Sequence, residues 1–520
     1  MTAQSPRPVP PAWASALAGV AAGAVALAAS ELAAGLFGAP SLVVAAGTLA
    51  IDLQPPGAKD VVVSLFGTND KAALIGLVVV IVLAVAAVAG ILAARRFILG
   101  VSVFVVFGFV AAGAAIRSPL VEPGLAVVNA AVAVCAGLVT LHLLLGLIGR
   151  RDTAAAATEP ASREWTRRRF LIASAGTIGA AAIVGGVGRS LIDAQHVEGV
   201  VSTSSLPKPL GAVPPLADDQ VLTTPGITPL VVPNDVFYRI DTALLVPNVN
   251  IATWELKVTG MVDHPLVFSY DELLTMPLYE QYVMISCVSN RVGGNLVGNA
   301  LWTGVRLKDV LETAGIQQGA TQIVGRSVDG FTVGFPTSWA MAPEREPMIA
   351  VGMNREPLPA KHGFPARLVV PGLYGYVSAT KWLSEIELTT REAVDGYWVP
   401  LGWAKDAPIL TQSRIDLPRS GDRVSAGPVE VAGVAWAPDR GVAGVEVRID
   451  DGPWQQAQIT RPISKTTWVQ WTFPWTAAND GRHGIEVRAT DDTGDVQTDK
   501  VSDPAPDGAR GHHRIFVDVG

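Results

Sequence analysis

Val283-Met284-Ile285-Ser286-Cys287-Val288-Ser289-Asn290 is a short apolar run that gives way to polar residues just past a cysteine. Val283–Ser286 reads as a buried strand that delivers Cys287 at its end. A strand end is a rigid place for a ligand whose position must be held closely. The thiolate is the ligand form of cysteine, and soft thiolates suit redox metals. An isolated buried cysteine is usually a small hydrophobe, so the meaning of Cys287 rests on the residues around it.

Working outward, Trp254–Gly260 reads as a strand ending in a turn, Tyr270–Leu274 as a short helix and Leu307–Ala314 as a helix capped by Gly315. Val369-Val370-Pro371-Gly372 reads as a strand and a turn, so residues 235–400 are mixed α+β. Beyond Pro408, Val429–Trp436, Val442–Ile449, Trp468–Phe473 and Gly484–Thr490 are short strands between Gly, Asp and Pro turns. Asp450-Asp451-Gly452 is the strongest turn signal. With no helical period, this spacing predicts a β-sandwich of roughly 110 residues, immunoglobulin-like in size.

The first 190 residues differ in kind. The chain is 49% hydrophobic and 16% charged, against about 25% charged in ordinary soluble domains, and the deficit lies in long Ala, Val, Leu and Gly runs before residue 190. Five stretches reach the length of a membrane span, Ala12–Ala29, Ala72–Ala94, Phe97–Ile116, Leu125–Ile148 and Phe170–Val187. Arg95 and Arg96 lie between spans two and three, and Arg150, Arg151, Arg163, Arg167, Arg168 and Arg169 between spans four and five. The positive-inside bias then predicts a multi-pass protein of the cell membrane, with a cytoplasmic N-terminus and residues 190–520 outside. Arg167-Arg168-Arg169-Phe170-Leu171 resembles the twin-arginine export signal, and without a small-residue cleavage site the helix is expected to stay as an anchor.

His142 is the one histidine before residue 190. A bis-histidine haem site needs two, so no haem is expected. No acidic residue lies deep in any of the five spans as bounded, which argues against an ion path. The net charge of −7 is modest and no basic stripe with interleaved aromatics occurs, so nucleic-acid binding is excluded. Cys135 lies within a span, far from Cys287, and a disulfide between them is not expected. The unpaired Cys287 in an exported domain marks a partner for another chain or a thiol with chemistry of its own.

The cysteine stretch, followed by Gly298-Asn299-Ala300-Leu301-Trp302-Thr303-Gly304, resembles the molybdenum-binding segment of the sulfite oxidase family. Further blocks follow the family's order. Asn234-Asp235-Val236-Phe237-Tyr238-Arg239 resembles its first pterin segment and Asp329-Gly330-Phe331-Thr332 a mid-domain loop. Met353–Pro359, His362-Gly363-Phe364-Pro365-Ala366-Arg367, Pro371–Gly375 and Lys381-Trp382 match as well, over about residues 230–520.

The resemblance implies a molybdenum-molybdopterin cofactor with Cys287 as the protein's metal ligand. It implies a pterin phosphate met by Arg239, His362, Arg367 and Lys381, and a pterin edge read by Asn234, Asn290 and Asp329, with Tyr238 in the same segment. Arg239 and Tyr397 are candidates for the substrate pocket beside Cys287. The implied division is a transmembrane helical region (1–190), a linker (191–233), a molybdopterin domain (234–405) and an immunoglobulin-like domain of dimerisation type (406–520), which would make a homodimer. The implied activity is oxygen-atom transfer on a small oxo-substrate, with electrons passed to or from a separate cytochrome or quinone-linked carrier.

Two departures bear on substrate. Sulfite-oxidising members usually carry a second basic residue where Val292 follows Asn290-Arg291, and Arg-x-His where this chain has Arg239-Ile240-Asp241. An anionic substrate needs clustered cations, so a reductase of sulfoxides or N-oxides is the alternative enzyme. A surface binding protein without cofactor is the alternative outside enzymes, and metal analysis separates it.

Overall fold

The computed structural model describes residues 11–55, 70–149, 161–198 and 206–520. Arg150 and Arg151 of the basic loop, and residues 199–205 of the expected linker, lie outside these. The chain forms two compact units, Met1–Val201 with Thr242–Asn248, and Ser202–Asp241 with Val249–Gly520.

The first unit is helical: α1 (Ala12–Phe37), α2 (Leu42–Asp52), α3 (Asp70–Arg95), α4 (Phe97–Ile116), α5 (Pro123–Gly149) and α6 (Ala161–Glu198). Five of these helices are long and apolar enough to cross a membrane, and α2 is too short. Small residues set the packing. A Cβ on Gly19 of α1 would stand 2.0 Å from the carbonyl oxygen of Ala86 in α3, and one on Gly90 would stand 2.1 Å from that of Ser15. The two backbones therefore touch only because both positions are glycine.

Two sequence expectations need correction here. The first helix runs eight residues past Ala29, to Phe37, and buries Glu31, whose carboxylate accepts a 2.5 Å hydrogen bond from Ser41 Oγ. An acid therefore does lie inside a long helix, held by the hydroxyl that also caps α2 by accepting from the Val44 amide. The linker expected from residue 191 starts later, because α6 continues to Glu198.

The second unit is built on sheets. One has the order β3 (Tyr279–Ser286), β4 (Val297–Arg306), β7 (Met348–Met353), β8 (Glu356–Pro357), with β9 (Arg367–Val369) on β7. Nine of the ten β4 residues are buried, as befits a strand covered on both faces. The other sheet of this half runs β2 (Leu266–Ser269), β1 (Glu255–Gly260), β10 (Leu383–Thr389), β5 (Gln322–Ser327), β6 (Thr332–Pro336). The helix α7 (Tyr270–Thr275) opens with a reciprocal cap between Ser269 and Glu272. α8 (Leu307–Ala314) ends at Gly315 with φ +72°, the positive-φ cap its glycine announces.

The chain after residue 408 forms two facing sheets, one in the order β11 (Gln412–Leu417), β13 (Gly427–Trp436), β17 (Val469–Ala477), β16 (Gln458–Ile459), the other β12 (Arg423–Val424), β19 (His513–Val519), β18 (Gly481–Asp491), β14 (Val442–Ile449), β15 (Gln455–Gln456). Ile415, Val431 and Trp471 from one sheet share a single core with Val445, Val487 and Val517 from the other. Asp450 and Asp451 both take positive φ at the turn after β14 (Val442–Ile449), the twist that suits a tight antiparallel connection.

Candidate active site

The antiparallel pair β3 and β4 brings Ser286 opposite Val297. The chain leaves β3 at Cys287 and is drawn back at Leu296, where the Cys287 amide donates to the Leu296 carbonyl at 2.9 Å. Asn290 closes the loop from within: its amide donates to Cys287 O at 3.0 Å, and its side-chain oxygen accepts from the Leu296 amide at 2.8 Å. Cys287 is 8% exposed, held by backbone on both sides, so its sulfur projects from a fixed frame.

Arg367, Lys381 and His362 are also buried. His362 ends a short turn, Ala360–His362, and its Nε2–H donates to the Asn234 carbonyl at 2.9 Å. That bond leaves Nδ1 as the unprotonated nitrogen. Gly363 follows at φ +113°, and a Cβ there would come within 3.0 Å of Lys381 and 3.2 Å of Arg367. The glycine is what lets these three groups converge. Arg367 donates from Nη1 to His362 O at 3.0 Å and lies over the Trp302 ring at 4.8 Å.

Asp241 ties the cluster together. It takes Arg239 Nε and Lys381 Nζ, each at 2.9 Å, and its side chain is 7% exposed. Sequence reading passed over this residue, whose only signal is that an acid follows Arg239 where a histidine was expected. Tyr374, quoted within a motif but given no role, is buried near the thiol as well, and burial pushes its hydroxyl up to about 12, with the negative charge of Cys287 adding to the effect.

The other residues singled out in the sequence make contacts of their own. Asn234 spends its side-chain nitrogen on Met353 O and Glu356 and its oxygen on Asn354 Nδ2, so its carbonyl is the part that faces His362. Tyr238 stacks on Phe237 at 5.2 Å, and burial first, then Cys287, raises its hydroxyl above the usual range. Asp329 accepts from the Phe331 amide at 3.1 Å, and burial raises its carboxyl. Tyr397 packs on Phe331, beside the Asp329 turn.

Burial shifts the cations in one direction. It lowers Arg367 to about 10 and Lys381 to about 8, with Asp241 acting against the second shift. His362 falls to about 3, chiefly through burial, with the neighbouring cations adding to it. The histidine is thus neutral at ordinary pH, while the cations are charged groups held in a poorly solvated place.

Residues 243–398 match the family model described as oxidoreductase molybdopterin binding domain. The chain is 36% identical over 154 residues to the uncharacterized oxidoreductase YuiH of Bacillus subtilis, covering 30% of this chain and 74% of that protein. It is 32% identical over 341 residues to human mitochondrial sulfite oxidase, covering 57% of this chain and 61% of the human protein. The chain belongs to the sulfite oxidase family of molybdopterin oxidoreductases. The sulfite oxidase of Arabidopsis thaliana is 25% identical over 350 residues, with 56% and 87% covered. The sulfane dehydrogenase SoxCD of Paracoccus pantotrophus superposes with a TM-score of 0.49 at 22% identity, covering 55% of this chain and 81% of that one. The chain spans about three-fifths of the length of the human relative.

The site's own atoms bear on whether the family's cofactor fits. Arg367 Nε, His362 Nδ1 and Ser289 Oγ are buried and have no hydrogen-bond partner among the described residues. Buried polar atoms are nearly always paired, and an unpaired guanidinium N–H beside an ammonium is what a phosphate oxygen satisfies. Among the described residues no cluster of three or more His, Cys, Asp or Glu could hold a metal. A metal held at Cys287 would need its other ligands from a bound group, which is what a pterin dithiolene would supply. The residues fit.

Proposed function

We propose that this chain is a membrane-anchored, extracytoplasmic molybdopterin-dependent oxidoreductase that transfers an oxygen atom to or from a small oxo-substrate. The observation that carries this reading is the buried Arg367–Lys381–His362 cluster, with unpaired polar atoms, in the same domain as a rigidly framed Cys287. In this reading Cys287 is the metal ligand. Arg367, Lys381 and Arg239 take the pterin phosphate. His362 offers Nδ1 as an acceptor to the pterin, with Asn234 holding the ring. Asn290 fixes the cysteine loop, and Asp329 and Tyr238 adjoin the pterin. The bound cofactor supplies two-electron oxygen-atom transfer. The protein contributes orientation, buried cations in a poorly solvated place, and tyrosines at 238 and 374 that stay protonated as donors.

The wider organisation belongs to the same proposal. The five long helices anchor the chain, the Arg-rich segments face the cytoplasm, and the Arg167–Leu171 signal exports a folded domain. The domains divide near residues 190, 233 and 405, the last being an immunoglobulin-like module of dimerisation type. Electrons pass to or from a separate cytochrome or quinone-linked carrier.

A second reading within the same fold, reduction of a sulfoxide or N-oxide, is favoured by Val292 in the cysteine loop and by Asp241, whose carboxylate engages both Arg239 and Lys381 and so offsets part of their positive charge. Metal analysis of the purified full chain, with steady-state assays on sulfite and on sulfoxides using artificial acceptors and donors, tests both. About one molybdenum per chain with sulfite turnover supports sulfite oxidation, and turnover of sulfoxide alone supports the second reading. Folded protein from a molybdopterin-producing host that contains no molybdenum refutes both.

A further inference from the structure

The loop from Cys287 to Leu296 is closed at its base by its own hydrogen bonds, but its far end is held by the two-sheet unit that begins near residue 408. Arg414 of β11 (Gln412–Leu417) is 6% exposed and donates from Nη1 to the Gly294 carbonyl at 2.8 Å. Its other two nitrogens are engaged as well. Nε reaches Asp416 Oδ1 at 2.7 Å and Nη2 reaches Thr228 Oγ1 at 2.7 Å. Asp416 in turn accepts from the Thr228 amide at 3.1 Å. The guanidinium is therefore braced in one orientation, with a single prong aimed at the loop.

His513, the first residue of β19 (His513–Val519), presses on the neighbouring position. Its Nδ1 accepts from the Ile415 amide at 2.9 Å, which fixes the ring, and the ring lies so close that a Cβ on Gly293 would meet it at 2.3 Å. Gly293 takes φ +74°, and a Cβ on Gly294 would stand 2.6 Å from Asn290 Oδ1, the atom that staples the loop to Leu296. The contacts form one chain: Arg414 and His513 to Gly293-Gly294, then Asn290, then Cys287.

We propose that Arg414 and His513 are positioning residues for the metal-bearing loop, so that the two-sheet unit sets the orientation of the Cys287 sulfur. This rests on the reading of Cys287 as metal ligand, and extends it by giving the C-terminal unit a part in the site. Neither residue reaches substrate in this account. They act through the backbone of the glycine pair.

The test uses the full chain in detergent, with Arg414→Lys and His513→Phe. Lysine keeps the charge but cannot brace on three acceptors, and phenylalanine keeps the ring but loses the accepting nitrogen. Hydrogen exchange is read at residues 288–296 and, as a control, at 431–435 and 469–473 in the core of the two sheets. Loss of a charged hydrogen bond should speed exchange in the loop by roughly ten- to hundred-fold, with the control segments unchanged. In metal-loaded protein the electron-spin signal of the one-electron-reduced metal should shift or broaden, and kcat should fall at least about ten-fold with KM nearly constant. Loop exchange and spin signal both identical to wild type overturn the proposal. If Arg414→Lys speeds exchange in the control segments too, Thr228→Val, which removes one brace and leaves the Gly294 contact, must speed loop exchange alone by a smaller factor, and no change there overturns the proposal. Exchange needs no metal, so a metal-free wild type defeats the reading of Cys287 while the loop result still stands or falls by itself.

Discussion

Replacing Arg367 with methionine separates a binding residue from a structural one. Methionine is shorter than arginine but fills much of the space of its apolar stem, and the site is 3% exposed, so the change removes the buried charge and leaves only a small void. Lowering of the guanidinium from 12.5 to about 10 corresponds to roughly 3 kcal/mol against the buried charge. Two contacts oppose this. The hydrogen bond from Nη1 to His362 O contributes about 1.5–3 kcal/mol as a charged bond, and the approach to Trp302 adds about 0.5–2 kcal/mol. The terms cancel to within about 2 kcal/mol, so the arginine adds little to the stability of the cofactor-free fold. The assay is thermal melting of cofactor-free full chain followed by tryptophan fluorescence, since eleven of the thirteen tryptophans lie beyond residue 250. Arg367→Met should melt within a few degrees of wild type, yet carry under about a tenth of its molybdenum when produced with cofactor. A loss above about 3 kcal/mol in the cofactor-free protein, with molybdenum retained by the folded fraction, would refute the reasoning and make Arg367 a structural ion.

Three further outcomes follow from the same geometry. Cys287→Ser should abolish turnover and molybdenum binding while shifting the cofactor-free melting temperature by no more than about 4 °C, because one buried sulfur is exchanged for oxygen in a frame made of backbone. Lys381 titrates near 8 rather than 10.5 in the cofactor-free site, so its ammonium is lost as pH rises through 8, and retention of the phosphorylated pterin, measured as molybdenum kept after dialysis, should weaken above that pH and less so in Lys381→Arg. His362 and His513 are lowered to about 3 and about 4 by burial and stay neutral when folded, whereas the unfolded chain protonates them near 6.5. Stability should therefore fall as pH drops from about 6.5 toward 4, by up to about 1.4 kcal/mol per pH unit for each histidine, and denaturant unfolding across that range should show a shallower slope for His362→Gln.

Local patterns made much of the fold legible. Val283–Ser286 is the buried end of a strand that begins at Tyr279, a short apolar run rich in residues that pack well on a pleated surface, and Cys287 stands at its end. Gly315 caps α8 and the Asp450-Asp451 pair turns after β14 because only a few residue types take positive φ cheaply. The long apolar helices announced themselves by length and composition. The buried Glu31 did not, because its partner Ser41 lies ten residues away, across a turn that hydropathy cannot see.

The amino-acid sequence alone determined the elements, the family and the list of cations, since these depend on residue type and short-range order. It could not say that Asp241 stands between Arg239 and Lys381, separated from the latter by 140 positions, or that Arg414 reaches across 120 positions to the Gly294 carbonyl. Such pairs carry no periodic signature, because a hydrogen bond or an ion pair acts over about 3 Å in space and is indifferent to distance along the chain. Only the folded arrangement of sheets decides which charges meet, which are left for a ligand, and which residues hold the cysteine loop in place.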